Sequence, residues 1–321
     1  GMDPAANSNA APFNTPTARG PAPGNMRELR GQRSVRTLDN GQTRIVQEPG
    51  NRVIIQQGGR SIIRNDDRTR FGRFGTTQSL QSRDGSSTSI MRRPDGSQII
   101  SVYDSQGRLI ERRRRGGGRD FTFFSNLNTR NLAIGALIAA PLVLAPLALG
   151  MPRDRYIVDY EEAPAPLIYD ALAAAPVQRL ERGYSVEEVL RNNDLRDRMR
   201  RVDLDDVNFA SGSWEVPAVY RAKLSRIAQA MLRIIQRNPR EVFLIEGHTD
   251  AVGNPEDNLT LSDRRAEAIA IILTQDFQVP PENLLQQGYG ETLLKIPSQA
   301  SEPRNRRVTI RRVTPLLAKG N

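Results

Sequence analysis

Val242-Phe-Leu-Ile-Glu-Gly247 is an apolar run that stops at a glycine and turns at once into a polar cluster, His248-Thr249-Asp250. A loop follows, and then a helix start that carries Ser262 and Arg265. A buried strand that feeds a helix narrows the choice of fold, because a βαβ crossover is right-handed and lays its helix on the sheet. In such sheets ligands sit beyond the carboxyl ends of the strands. Asp250 and Arg265 are each placed where one element ends or the next begins. A carboxylate and a guanidinium so arranged suit a small zwitterion better than they suit bond-breaking chemistry. The bland alternative for the pair is a structural salt bridge or a helix-end contact.

The surrounding pattern extends this unit. Val207-Asn-Phe209 is a short strand candidate, and residues 218–237 carry apolar groups at 220, 224, 227, 228, 231, 234 and 235, a helical stripe ended by Asn238-Pro239. Thr260-Leu-Ser-Asp263 fits the cap of a second helix with Ala266, Ile269, Ala270 and Leu273 on one face. Leu284–Gln287 and Val308–Val313 supply further strands. The fold class expected is α/β (α+β), a βαβαβ mixed sheet with helices packed on it.

Several separated blocks now point the same way. Gly247-His-Thr-Asp250, Gly253, Asn258, Leu261-Ser262, Arg265-Ala266, Gly288-Tyr-Gly-Glu291 and Asn305-Arg-Arg-Val308 resemble, in order and spacing, the OmpA-like C-terminal domains. The resemblance covers roughly residues 203–315. It implies non-covalent binding of peptidoglycan through the meso-diaminopimelate residue of the stem peptide. Asp250 would then accept from the ligand ammonium and Arg265 would pair with its carboxylate. Thr249, Gly253, Asn258 and Leu261 would shape the pocket, and Arg307 would add positive potential. A planar guanidinium matches a carboxylate with two parallel hydrogen bonds, which lysine cannot do. A lysine-type stem lacks that carboxylate and would leave Arg265 unpaired.

No catalytic role is expected. His248 is the sole histidine and there is no cysteine, so neither a thiol nucleophile nor a metal-ligand cluster is present to join it. It reads as a structural residue at a strand end, and Phe209 and Trp214 read as core. No metal and no cofactor is expected. Gly288-Tyr-Gly290 is too short for a phosphate loop and lacks the lysine that would follow.

Upstream of residue 203 the resemblance gives nothing. Residues 1–26, rich in Pro, Ala, Asn and Gly, read as a disordered leader without a signal segment. Residues 27–119 alternate short β-rich runs, such as 52–55, 61–64 and 98–103, with turns at about ten-residue spacing, an antiparallel meander. Residues 1–130 hold 22 Arg against 11 acidic residues, which is more than the whole net charge of +10. These Arg residues are expected to form one solvated face. The thin strands point to a stabilising partner, either a second copy or another envelope protein. Basic charge alone permits binding to anionic lipid or nucleic acid, but without a motif or aromatic interleaving nucleic acid is disfavoured.

Leu132–Met151 is a stretch of twenty residues without a charge. As a helix it would reach about 30 Å, the thickness of a bilayer core. We therefore expect a transmembrane helix over 131–151, with the basic collar Arg112–Arg119 on its cytoplasmic side and residue 152 onward in the periplasm. A cleaved signal with a periplasmic meander is the competing topology. The span has no ionisable group, which disfavours an ion-driven stator. Residues 152–202 read as a helical connector with a capping box at Ser185–Glu188, and 316–321 as a tail. The expectation is a non-enzymatic, membrane-anchored cell-wall tether of a Gram-negative envelope.

Overall fold

The computed structural model describes residues 23–118, 120–126, 142, 144–205, 209–210 and 212–318. A short helix α1 (Met26–Arg30) leads into a four-stranded antiparallel meander, β1 (Ser34–Leu38), β2 (Thr43–Glu48), β3 (Arg52–Gln57) and β4 (Arg60–Asn65). After the single turn α2 (Arg68–Phe71) comes a second meander: β5 (Thr76–Gln81), β6 (Ser87–Arg92), β7 (Gln98–Tyr103), β8 (Leu109–Arg115) and β9 (Phe121–Ser125). Its turns repeat one device, an aspartate whose Oδ1 accepts from the backbone two residues on: Asp84 from Ser86, Asp95 from Ser97 and Asp104 from Gln106, each at 2.9 Å. The expected single meander is thus two sheets, divided at the helical turn α2.

The third sheet belongs to the C-terminal half. Its elements in chain order are α3 (Arg153–Tyr156), β10 (Ile157–Asp159), α4 (Ala165–Ala173), α5 (Val186–Arg191), α6 (Asn193–Arg196), β11 (Arg201–Leu204), α7 (Ala218–Lys223), α8 (Ser225–Arg237), β12 (Phe243–Gly247), α9 (Pro255–Gln275), β13 (Leu284–Gly288) and β14 (Val308–Arg312). The strand order is β10-β11-β14-β12-β13, with β12 parallel to β13 and antiparallel to β14. Alternation along β12 sends Phe243 and Ile245 to one face and Leu244 to the other. The first face packs on α4, α8 and α9 through Ile168, Ile227, Met231, Ile269 and Leu273. The second is covered by α5 and α6 and by Phe123 and Phe124 of β9.

Three expectations need correction here. Residues 152–202 are not a spacer: they supply β10 and the first half of β11 in the five-stranded sheet, and Val158 and Val202 lie in its core. The capping box at Ser185 and Glu188 and the helix Val186–Arg191 that it opens are where the sequence puts them. The helix expected over 131–151 falls largely outside the described residues; Val207 and Asn208 of the first strand candidate do so as well. Of that apolar run, residues 144–150 are described and are not helical. Pro146 interrupts them, the Leu142 and Ala145 carbonyls accept from the Asn192 and Arg198 side chains, and Leu142 and Leu144 pack into the second core. Among the described residues no helix is long and apolar enough to cross a membrane.

The third correction concerns the arginines of the N-terminal half. Several of them face inward. Arg52, Arg70 and Arg112 are fully buried against the C-terminal half. Arg52 bridges Asp263 (2.9 Å) and Glu267 (2.7 Å) on α9. Arg70 and Arg112 share Asp67 and donate to the carbonyls of Pro281, Glu282 and Leu284 at the head of β13. Burial alone would raise the Asp67 carboxyl, but Arg112 and Arg70 hold it below the usual range. Near α1, Arg33 contacts Glu48, Glu256 and Asp257, and Arg44 contacts Glu256. Val46, Ile54 and Ile63 close over Leu259 between these pairs. Helix α9 is therefore held between two sheets, which explains why it shows no clean polar face.

Candidate functional site

The strand β12 can end where it does because Gly247 has no side chain. A Cβ there would stand 1.9 Å from the carbonyl oxygen of Ser262 on α9, and one on Gly288 would stand 2.4 Å from the Asp263 nitrogen. The helix thus touches the two parallel strands at their carboxyl ends. Ser262 and Asp263 secure the contact, since Gly290 N–H donates to Ser262 Oγ (2.9 Å) and Gly288 N–H to Asp263 Oδ1 (3.0 Å). Their role is inside the helix, not at its start. The helix begins a turn and a half earlier, at Pro255, where Asn254 caps the amides of Glu256 and Asp257. Arg265 consequently projects from the third turn and not from the first.

Beyond these strand ends lies an open cleft of about 460 Å³. Thr249, Asp250, Gly253, Asn258, Leu261 and Arg265 all line it, so six of the seven residues singled out in the sequence converge there. Asn258 shapes it indirectly: its Nδ2 donates to the Val252 carbonyl (3.1 Å) and to Glu291 (2.6 Å), which pins the 250–253 loop. Leu261 packs under Met26, Leu29 and Trp214. The Thr249 amide is spent on the Gly290 carbonyl (2.9 Å), while its hydroxyl is buried with no hydrogen-bond partner.

The two charges differ in how they are satisfied. Arg265 is 4% exposed, lies over the Phe209 ring at 4.6 Å and donates Nε to the Ser213 carbonyl at 3.0 Å. Among the described residues it forms no ion pair, and burial pushes its pKa down to about 10. Asp250 is 7% exposed, and its Oδ2 is held by Arg306 Nη1 at 2.7 Å and faces Ser301 Oγ at 3.3 Å. Arg306 is a lining residue that sequence reasoning missed in favour of its neighbour.

Arg307 is the exception among the seven. It is 4% exposed, does not line the cleft, and donates to the Leu293 carbonyl (3.1 Å) beside the buried Asp203. It sits where β14 starts, and strand alternation turns it inward while Arg306 faces the opening. Phe209 joins Arg265 at the cleft and also packs on the main core. His248 is 2% exposed and stacks on Tyr289 with ring centroids 5.7 Å apart. Burial, helped by Arg307, pushes its pKa down to about 3 and keeps it neutral. Among the described residues no group of His, Asp and Glu side chains is arranged to hold a metal ion.

Residues 208–308 match the model of the OmpA family. Outer membrane porin F of Pseudomonas aeruginosa is 34% identical over 110 residues, which are 34% of this chain and 30% of the porin; the chain thus spans under a third of that relative. Among solved structures, the peptidoglycan-associated lipoprotein of Burkholderia pseudomallei is 30% identical, over 33% of this chain and 87% of that one, with a TM-score of 0.28. The cell wall anchor of the T6SS from Pseudomonas aeruginosa is 30% identical over 33% and 73% of the two chains, with a TM-score of 0.27. By the family match and the motif blocks that carry it, this C-terminal stretch is an OmpA-like domain.

Proposed function

We propose that this chain is a non-catalytic tether of the bacterial envelope that binds peptidoglycan through the diaminopimelate of its stem peptides. The observation that carries this reading is the unequal state of the two charges in the cleft. Among the described residues Arg265 is a buried guanidinium without a carboxylate partner, and Asp250 is answered by a guanidinium that is itself one-third exposed. A buried cation without a counter-charge is costly, and a ligand carboxylate relieves it. The ligand ammonium takes its place at Asp250. Thr249 Oγ1 offers a further hydrogen bond. The names of the relatives, a peptidoglycan-associated lipoprotein and a cell wall anchor, support the same reading. The site residues themselves rest on geometry.

The test is a pull-down of the full chain with purified diaminopimelate-type sacculi, with lysine-type sacculi as the comparison. Asp250→Ala and Arg265→Ala should each weaken retention by about 2–5 kcal/mol, at least thirtyfold, with the circular-dichroism spectrum unchanged. Equal retention of wild type and both variants would sink the assignment. The full chain is required, because residues 27–205 supply strands and buried arginines to the domain.

A further inference from the structure

Resting on that reading of the cleft, we infer that Arg306 selects a ligand with a net negative charge, a zwitterion that bears an additional carboxylate on the peptide to which it is joined.

The argument is one of charge balance. On the α1 side of the cleft, Arg30, Arg33 and Arg44 are matched by Glu48, Glu256 and Asp257, three against three. Across the cleft, among the described residues that line it, Arg265 and Arg306 face Asp250 alone, while Glu302 nearby is paired with Arg304. A neutral zwitterion brings one charge of each sign and leaves that surplus cation in place. Its ammonium competes with Arg306 for Asp250, because both address the same carboxylate, and its carboxylate pairs with Arg265. Arg306 is then released from its 2.7 Å contact while still lining the cleft. Its side chain is 36% exposed and stays tied only to Ser301 Oγ (2.9 Å), so it is free to turn to another anion at the rim. Arg265 cannot serve that second anion, since it is buried and its Nε is committed to the Ser213 carbonyl.

A stem that ends at diaminopimelate provides such a group in two places, the α-carboxylate of the glutamate and the peptide-side carboxylate of the diaminopimelate. The probe is N-acetylated L-alanyl-γ-D-glutamyl-meso-diaminopimelate, with single amides at either carboxylate and a double amide, titrated calorimetrically into the full chain. For wild type, one single amide should bind about five- to tenfold more weakly than the free acid, the range of a partly exposed charge-assisted pair; which amide does so identifies the source. In Arg306→Gln that penalty should vanish, and the double amide should bind as well as it does to wild type or better, because its ammonium no longer competes for Asp250. Arg306→Lys should restore part of the penalty. Arg30→Gln, whose charge is matched, should keep all of it.

The inference is overturned if neither amide weakens binding to wild type, or if the penalty persists undiminished in Arg306→Gln. Failure of the underlying reading looks different. There the acid itself does not bind, or binds equally well to Arg265→Ala, and the inference falls with it.

Discussion

Thr249 lines the cleft, and its hydroxyl is buried with no hydrogen-bond partner among the described residues. An unsatisfied buried polar group costs on the order of 1–3 kcal/mol, which a protein keeps where a ligand completes the bond. Thr249→Val preserves the shape and should leave stability unchanged or slightly raised. Ligand affinity should fall, by about 1 kcal/mol, roughly fivefold. Paired denaturation and calorimetry decide it, and a loss of stability with intact affinity would make the hydroxyl structural. At this scale the sequence led to Asp250 and Arg265 through the strand end and the helix that follow one another, and both line the same cleft. The sequence was least legible at Arg306-Arg307, where identical neighbours differ only in the side to which the chain turns as it enters β14.

Helix α9 is the element on which the molecule depends most. Its inner face was readable from Ala266, Ile269, Ala270 and Leu273. Its start was not, because Thr260 and Ser262 look like caps, whereas Asn254-Pro255 begins the helix and Ser262 holds β13 from within it. Its Asp263 and Glu267 meet Arg52 of the N-terminal half. That partner lies more than two hundred residues upstream, and no local pattern announces it. Arg52→Ala leaves two carboxylates buried without their cation and should destabilise the chain by about 3–5 kcal/mol. Urea denaturation measures it, and Arg52→Ala combined with Asp263→Asn and Glu267→Gln should recover part of the loss. A cost below 1 kcal/mol for the single change would mean that the pair is solvated.

Across the whole molecule, the sheet β10-β11-β14-β12-β13 is covered on both faces, and the second cover encloses a polar layer. Glu246 lies between Arg311 (2.9 Å) and Arg196 (3.3 Å), and His248 stands beside it. Burial raises Glu246 in principle, yet the Arg311 and Arg196 guanidiniums hold its carboxyl well below the usual range. His248 has a folded pKa of about 3 against an ordinary 6.5. Between those values the unfolded chain binds a proton that the folded chain refuses, so stability falls as pH drops from 6.5 toward 3. The contribution is at most about 1.4 kcal/mol per pH unit. Unfolding measured at pH 7.5 and pH 5 should show a smaller difference for His248→Asn than for wild type. Identical differences would place the histidine in water. The β-rich character of the N-terminal half was legible from its turn spacing. Its attachment to the rest was not, since arginine is the residue that sequence patterns assign to solvent.

The clasp of α9 by Arg30, Arg33, Arg44 and Arg52 also bears on inheritance. The helix that presents Arg265 to the cleft also meets four cations contributed by α1, the turn after it and two strands from the opposite end of the chain. A change at Glu256, Asp257, Asp263 or Glu267 is therefore answerable to two distant neighbourhoods at once. The two halves are expected to diverge in step, and a C-terminal half taken from a relative that lacks these strands and joined to this N-terminal half would leave the arginines without their carboxylates.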